Sequence, residues 1–344
     1  MTDNTTKSRF IIPVLFGAGL LFGLLIIIFF IFYDYIYTPV LGREYDSTVT
    51  VEIPRGASFS TTTDLLERSG FITNRKLFYV LAFAKGAPSH IRRGEYELTG
   101  SMSPLDILNK LLKGEVKGYR IPVPEGFTVQ QVATRLSAWR LVDEDRFLNL
   151  SADEELLKSL SISGTSVEGY LFPDTYLLTK LMDESEIIKF MVRRFRTVVT
   201  PDMNARAREL GFSIEEIIIL ASIIEKEGGI SEERPFISAV FHNRLKKGMR
   251  LQSDPTVIYG LKDFDGNLTR KDLREKTPYN TYRIKGLPPG PICNPGLESI
   301  QAALHPAPID CLYFVSKNNG THHFSSNLND HNKAVIKYQI KRKR

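Results

Sequence analysis

The chain has 344 residues, of which 42% are hydrophobic and 24% are charged, and its formal net charge is +6. This composition is typical of a folded globular protein and excludes an intrinsically disordered chain, and the length suffices for more than one hydrophobic core. Two cysteines, Cys293 and Cys311, are too few for a disulfide framework. We therefore expect a fold that depends on its cores and not on cross-links.

The first distinctive segment is an apolar run near the N-terminus. Residues 10–33 contain no charged side chain, and about 20 apolar residues cross a bilayer as a helix. Basic residues occur within residues 1–9 and Asp34 follows the run, so the positive-inside rule places the short N-terminus in the cytoplasm. A cleaved signal peptide fits poorly, because the run exceeds the usual ~7–15 residues and no small-x-small site follows. We predict a single-pass anchor in the inner (cytoplasmic) membrane, a polar stalk over residues 34–44 and a periplasmic or otherwise extracytoplasmic remainder.

The positive charge is concentrated in the last four residues, 341–344. Such a tail can contact anionic lipid or an anionic polymer, although a solvated terminus is the commoner explanation. Nucleic acid is not an expected partner, because most of the chain is predicted to lie beyond a membrane.

Residues 45–152 form a predicted small α+β region. Residues 49–53 alternate like a strand, and the turn at 53–56 and its following helix have a counterpart at 123–126. Between them, residues 94–98 read as a strand, and Ser103 begins a helix that ends at Gly114. The strand-turn-helix units resemble the LysM fold, a strand-helix-helix-strand module that grips N-acetylated sugars. A generic α/β spacer is the alternative.

Residues 153–344 form a second predicted region, α+β and larger, which begins with acid-rich helices. It then carries an aromatic segment, residues 168–176, that includes Glu168 and Tyr176. Aromatic rings beside carboxylates suit sugar binding, since ring faces pack on pyranose C–H surfaces while acids accept hydroxyl hydrogens. A buried strand entry with a proline turn explains the same composition.

A buried helix ending in an acid is the strongest chemical signal. Ser213 and Glu216 form a capping box, an apolar run follows, and a glycine pair comes directly after Glu227. Glu225 shares a helical stripe with buried positions, so desolvation and the negative end of the helix dipole are expected to raise its pKa. A protonated carboxylic acid is the proton donor of glycosidic cleavage. The simpler alternative is a helix that ends in charged residues only to reach water.

Many polar residues follow this helix among turn-rich segments. Residues 236–245 predict a second helix that presents Asn243 and Arg244, and Gln252 and Asp254 alternate as on a strand facing a cleft. Rigid loops rich in proline and glycine come next and commonly position ligands. The candidate substrate-binding residues are Glu168, Tyr176, Asn243, Arg244, Gln252, Asp254, Tyr259, Tyr279, Asn280 and Tyr282.

These motifs together resemble the YceG-like family of endolytic murein transglycosylases, the MltG type. The residues that carry the resemblance are 168–176, 221–227, 243–245, 251–260, 279–282 and 286–290. The resemblance implies that Glu225 is the catalytic acid, that newly made peptidoglycan strands are cut near the inner membrane, that peptidoglycan synthases are partners, and that strand elongation ends. Two small departures, at residues 170–171 and at Cys293, concern subsites and not the reaction.

Glu225 and Glu227 cannot act as the paired carboxylates of a hydrolase, because two residues along a helix rotate the side chain by about 200°. Glu227 is therefore expected to face solvent or to serve the structure. We expect Glu225 to act twice, first as acid and then as base, and to form a 1,6-anhydro sugar. Neither a metal nor a cofactor is expected, since the histidines show no ligand spacing and no GxSxG elbow occurs. The alternatives are a muramidase in which Asp254 activates water and a non-catalytic, membrane-anchored peptidoglycan-binding scaffold.

Overall fold

The computed structural model describes residues 5–40, 47–54, 56–86 and 91–340, with side chains from residue 19 onward. The chain divides into two compact units, one of Met1–Gly118 with Thr179–Leu181 and one of Tyr119–Leu178 with Met182–Arg344. Both units mix helices with short strands, which agrees with the predicted α+β class. The predicted basic tail, residues 341–344, lies outside the described residues.

The first unit contains an N-terminal helix and a compact α+β body. Its elements are α1 (Thr5–Tyr37), β1 (Thr48–Ile53), α2 (Phe59–Arg68), α3 (Arg75–Ala84), β2 (Gly94–Thr99) and α4 (Pro104–Lys113). Strands β1 and β2 pair antiparallel with Thr48 opposite Thr99 and Ile53 opposite Gly94. The strands and helix predicted here from periodicity are thus present, in the order strand, helix, helix, strand, helix.

Local capping explains where α4 begins and ends. Ser103 and Asp106 form a reciprocal capping box, and Gly114 ends the helix in the left-handed conformation at φ +68°. Between these signals the apolar positions recur at helical spacing, so that Leu108 and Leu111 are fully buried in the core of the first unit. The predicted start at Ser103 and stop at Gly114 are confirmed.

Helix α1 is long and apolar enough over Gly19–Tyr37 to cross a membrane. Its C-terminal end does not lead into a free stalk, because Phe32, Tyr35 and Ile36 pack against the hydrophobic core of the first unit. Within the predicted stalk, residues 34–37 are helical and residues 41–44 lie outside the described residues.

The second unit begins earlier than the predicted boundary between residues 152 and 153. Strand β3 (Tyr119–Pro122) pairs antiparallel with β4 (Thr175–Leu178), which lies more than fifty residues later in the sequence. This pairing brings residues 119–152 into the second unit. Periodicity cannot detect such a division, because both repeated strand-turn-helix units have the same local pattern.

The remaining elements of the second unit are mostly helical. They are α5 (Val129–Ala138), α6 (Glu144–Ser151), α7 (Glu154–Ser159), α8 (Glu184–Val198), α9 (Pro201–Glu209), α10 (Ile214–Glu227), α11 (Arg234–Lys246), α12 (Asp254–Gly260), α13 (Leu297–Leu304), the hairpin β5 (Tyr313–Ser316) and β6 (His322–Ser325), and α14 (Leu328–Val335). Helix α10 is central, with contacts to α9, α11, α12 and α13. The predicted catalytic residue, Glu225, lies in its last turn.

Candidate active site

Helix α10 is buried along most of its length and carries two acids in its last turn. Ser213 accepts from the backbone N–H of Glu216 and Glu216 accepts in return, as the capping box predicts. Every residue from Ile217 to Ile224 is buried, and Gly228 ends the helix at φ +73°. Glu225 and Glu227 therefore occupy its last turn and point to different sides of it.

The carboxyl group of Glu225 is enclosed by protein. Its side chain is 7% exposed, its Oε2 accepts a 3.0 Å hydrogen bond from the backbone N–H of Gly296, and its Oε1 lies 3.5 Å from Nη2 of Arg234. The predicted burial is confirmed. Both donors stabilise a negative charge on this carboxyl group. The sequence prediction considered only burial and the helix dipole, so it did not include these two contacts.

Arg234 is shared by three carboxylates. Its Nη1 lies 2.6 Å from Glu298, and its Nη2 lies 3.7 Å from Glu125 as well as 3.5 Å from Glu225. The pKa of Glu125 is raised, mainly by burial and also by the nearby charge of Glu225, and Arg234 opposes this shift only in part. The last turn of α10 thus lies beside a cluster with more acids than bases.

Sequence reasoning did not identify Arg234, Glu125 or Glu298 as site residues. Glu125 lies in the turn assigned from sequence to the smaller region, and Arg234 begins α11 as an ordinary charged residue. Nothing in the local pattern signals that residues separated by about one hundred positions meet.

Glu227 is half-buried and bonded within the protein, which fits the second of its two predicted placements, a structural one. The hydroxyl of Ser253 donates a short hydrogen bond to its Oε1. Burial raises the pKa of Glu227 to about 7, the bond from Ser253 acts in the opposite direction, and Asp254 raises it further. Helix α10 therefore carries, at Glu227, a carboxyl group that is only partly ionised at neutral pH.

A cavity of about 380 Å³ lies on the Glu227 side. It is lined by Glu227 and by four predicted substrate-binding residues, Arg244, Gln252, Asp254 and Tyr282, together with residues of β5 and α14. The hydroxyl of Tyr282 donates to Asp254 at 2.6 Å. The structure thus brings together four of the ten predicted binding residues around one open, polar space.

Gln252 and Asp254 do not lie on a strand, contrary to the sequence prediction. Gln252 has φ +49°, and Asp254 is the first residue of α12. Pro255 explains the difference, because its fixed φ suits the first turn of a helix and it lacks an N–H for a ladder. The alternation of polar and apolar residues here reflects a turn that enters a helix.

Arg244 and Asn243 connect α11 to the segment before β5. Arg244 donates to the carbonyl groups of Leu312 and Leu251 at 2.7 and 2.8 Å, and Asn243 donates to those of Ile309 and Cys311. Both side chains hold backbone groups in place, and Arg244 also lines the cavity beside Glu227.

Glu168 lies in a different buried network. It is 5% exposed and accepts from the backbone N–H of Val129, from Asn294 and from the hydroxyl of Tyr259. Burial raises its pKa to about 7, and these hydrogen bonds act in the opposite direction. Tyr259 and Tyr279 stack edge to face at 4.8 Å, and Glu168 and Tyr279 both line a smaller pocket of about 150 Å³.

Tyr176 and Asn280, the last two predicted binding residues, are buried, and both donate hydrogen bonds to backbone carbonyl groups. Tyr176, on β4, donates to the carbonyl of Phe172. Asn280 is fully buried and donates to carbonyl groups of residues 273 and 275. Cys293 and Cys311 are both free thiols.

Comparisons with known proteins converge on one family. The sequence model of the YceG-like family matches residues 51–337. A protein of Bacillus subtilis named endolytic murein transglycosylase is 35% identical over 320 residues, 86% of this chain and 86% of the relative. A protein of the same name from Streptococcus pneumoniae is 28% identical over 96% of this chain and 64% of its own length.

The crystal structure of a YceG-like protein from Listeria monocytogenes has a similar fold. The TM-score is 0.58 at 34% sequence identity, and the match covers 84% of this chain and 99% of that one.

Proposed function

The chain belongs to the YceG-like family, and we propose that it is an endolytic murein transglycosylase. This lyase would cut the β-1,4 bond between N-acetylmuramic acid and N-acetylglucosamine inside peptidoglycan strands and leave 1,6-anhydro-N-acetylmuramic acid ends. The observation that carries the proposal is the 35% identity, over most of both chains, to a relative of that name. The enclosed acid at the end of α10 supports it.

In the proposed reaction Glu225 acts as acid and then as base. Its protonated carboxyl gives the proton to the glycosidic oxygen, and the bond from that oxygen to C1 of the muramyl residue breaks. The resulting carboxylate takes the proton of the C6 hydroxyl, whose oxygen closes on C1. The acid is restored and no water is consumed. Arg234 and the N–H of Gly296 would stabilise the carboxylate between the two steps.

The cavity beside Glu227, which Glu225 does not itself line, is the proposed site for sugar residues to one side of the bond that is cut. Asp254 and Arg244 offer a hydrogen-bond acceptor and a donor for hydroxyl and amide groups, and Tyr282 offers a ring face as well as its hydroxyl. Glu168 and Tyr279 are proposed to act at the smaller pocket, where Tyr259 would hold the Glu168 carboxyl through its hydroxyl.

We further propose that α1 anchors the protein in the inner membrane with its N-terminus in the cytoplasm. The body of the enzyme would then meet nascent strands outside the membrane, with peptidoglycan synthases as partners and termination of strand elongation as the outcome. The order β1, α2, α3, β2 supports a LysM-like module that binds N-acetylated sugars.

Product analysis tests this function. Purified glycan strands are digested with the wild type, Glu225→Gln and, as a control at an exposed position of α7, Glu154→Gln, and the new ends are identified by mass spectrometry. We expect anhydro ends, one water lighter than reducing ends, from the wild type and from Glu154→Gln, and a loss of about 10²–10⁴-fold in their rate of formation with Glu225→Gln. Reducing ends from the wild type would identify a muramidase, for which Asp254 is the candidate base. Unchanged digestion by Glu225→Gln would refute Glu225 as the acid, and glycan binding without cleavage by the wild type would identify a scaffold.

A further inference from the structure

Helix α3 presents an apolar face that lies outside the core of its own unit. Phe78, Leu81 and Ala82 point into the core, whereas Val80 and Phe83 are exposed, with Phe83 at 81%. In a water-soluble domain an exposed phenylalanine beside further exposed apolar residues on one helix marks an interaction surface.

This face adjoins the apolar helix α1. A cavity of about 450 Å³ separates them, and every residue that lines it is apolar: Leu25, Ile28, Phe29, Ile31 and Phe32 of α1 with Leu77 and Val80 of α3. Water gains few hydrogen bonds in such a space, so an apolar occupant is favoured.

The position of this cavity along α1 gives its depth in the bilayer that α1 is proposed to cross. A bilayer core takes about 20 helical residues, and the charge-free run covers residues 10–33. Wherever a 20-residue span is placed within that run, Leu25, Ile28 and Phe29 lie inside it. Since Leu77 and Val80 line the same cavity as these residues, one side of α3 lies at the depth of lipid chains.

The charges on α3 agree with that depth. The helix contains no acidic residue, and exposed Lys76 and Lys85 stand at its two ends. Lysines at the ends of an interfacial helix place their ammonium groups among anionic headgroups while the apolar residues between them enter the acyl region.

We propose that α3 is an interfacial helix, whose exposed residues Val80 and Phe83 insert into the outer leaflet beside α1, with acyl chains filling the cavity between the two helices. This inference rests on the proposed membrane anchor. The first unit would then be held at the membrane surface by both α1 and α3. Two contacts fix the orientation of the unit relative to the membrane, whereas the anchor alone would only attach it.

Quenching by brominated lipid tests the proposal on the full chain. Trp139 is the only tryptophan, so Trp139→Phe provides a background for three single-tryptophan proteins: Phe83→Trp on α3, Phe22→Trp on α1 as anchor control, and Arg68→Trp at an exposed position of α2. Each is reconstituted in phosphatidylethanolamine and phosphatidylglycerol vesicles with phosphatidylcholine brominated in its acyl chains. Because Phe83 is exposed, its replacement does not disturb the core.

We expect strong loss of emission at positions 83 and 22 and little at position 68. Quenching at 22 without quenching at 83 would overturn the interfacial helix and leave the anchor intact. Absence of quenching at 22 would refute the anchor itself. Equal quenching at 68 and 83 would refute a specific role for α3, and a blue-shifted emission at 83 that depends on protein concentration but not on bromine would identify a second copy as the occupant.

Discussion

Glu225 and Glu227 lie two residues apart at the end of α10, yet their carboxyl groups have different partners. Glu225 meets the guanidinium group of Arg234 and a backbone N–H, whereas Glu227 accepts from Ser253 beside the cavity. One helix end thus carries a carboxyl group held by a guanidinium group and a backbone N–H, and a second carboxyl group with a pKa of about 7. In the proposed reaction the two groups have separate roles.

Replacing each acid separately distinguishes these parts. We expect Glu225→Gln to lower kcat by about 10²–10⁴-fold, because a general acid-base group is lost. Glu227→Gln keeps an acceptor for Ser253 and is expected to raise KM more than it lowers kcat. Anhydro-end formation is followed over a range of glycan concentrations. If Glu227→Gln were the inactive variant and Glu225→Gln the active one, the assignment of the proton donor would be reversed.

Arg234 is expected to position and stabilise the Glu225 carboxylate. Arg234→Met removes a charged contact worth about 1.5–3 kcal/mol, so kcat should fall by roughly 10- to 100-fold. Arg234→Lys should recover part of this loss, since it restores the charge without the planar geometry. Lys226→Met, in the same helix turn as Glu225, serves as a control. An equal loss in the lysine and methionine variants would show that geometry and not charge matters.

Gly296 is expected to allow the Glu125 carboxyl group to lie near Arg234, because glycine has no side chain that would occupy the same space. A Cβ at position 296 would lie 2.0 Å from Oε1 of Glu125, so Gly296→Ala should displace that side chain and reduce activity. Glu125→Ala removes the obstacle, and the double variant should therefore lose less than the sum of the single ones. A coupling of about 0.5–3 kcal/mol in the double-mutant cycle is expected. Additive effects would contradict the contact.

Glu168 is expected to make stability fall as pH rises. Burial raises its pKa from 4.5 to about 7, so the native state holds this proton at pH values where the unfolded chain has released it. Between about pH 4.5 and 7 the native state binds more protons, and the free energy of unfolding decreases with pH by on the order of 1–3 kcal/mol. Glu227 contributes in the same direction.

Urea unfolding of the full chain in detergent at about pH 5 and pH 8 measures this dependence. Glu168→Gln, which cannot ionise, should reduce the difference in unfolding free energy between the two pH values. Glu154→Gln, at an exposed helix position, should leave the difference unchanged. A wild-type stability that increases with pH over this range would contradict the prediction.

Local elements could be predicted from sequence because their causes lie within a few residues. The capping box at Ser213, the helix start at Ser103 and the left-handed stop at Gly114 all depend on contacts between near neighbours. Residues 251–254 show the limit of such reasoning, since alternation suggested a strand where α12 begins at Asp254, with Pro255 in its first turn.

The site itself depends on contacts between distant parts of the chain. The sequence alone determined an apolar N-terminal segment, the buried acid of α10, and the motifs that resemble one family. Only the tertiary structure decided that Glu125 and Glu298 reach Arg234 and that Ser253 reaches Glu227. The reason is physical: helix caps and periodicity act over one or two turns, whereas the packing that encloses a carboxyl group is set by segments that meet only when the cores have formed.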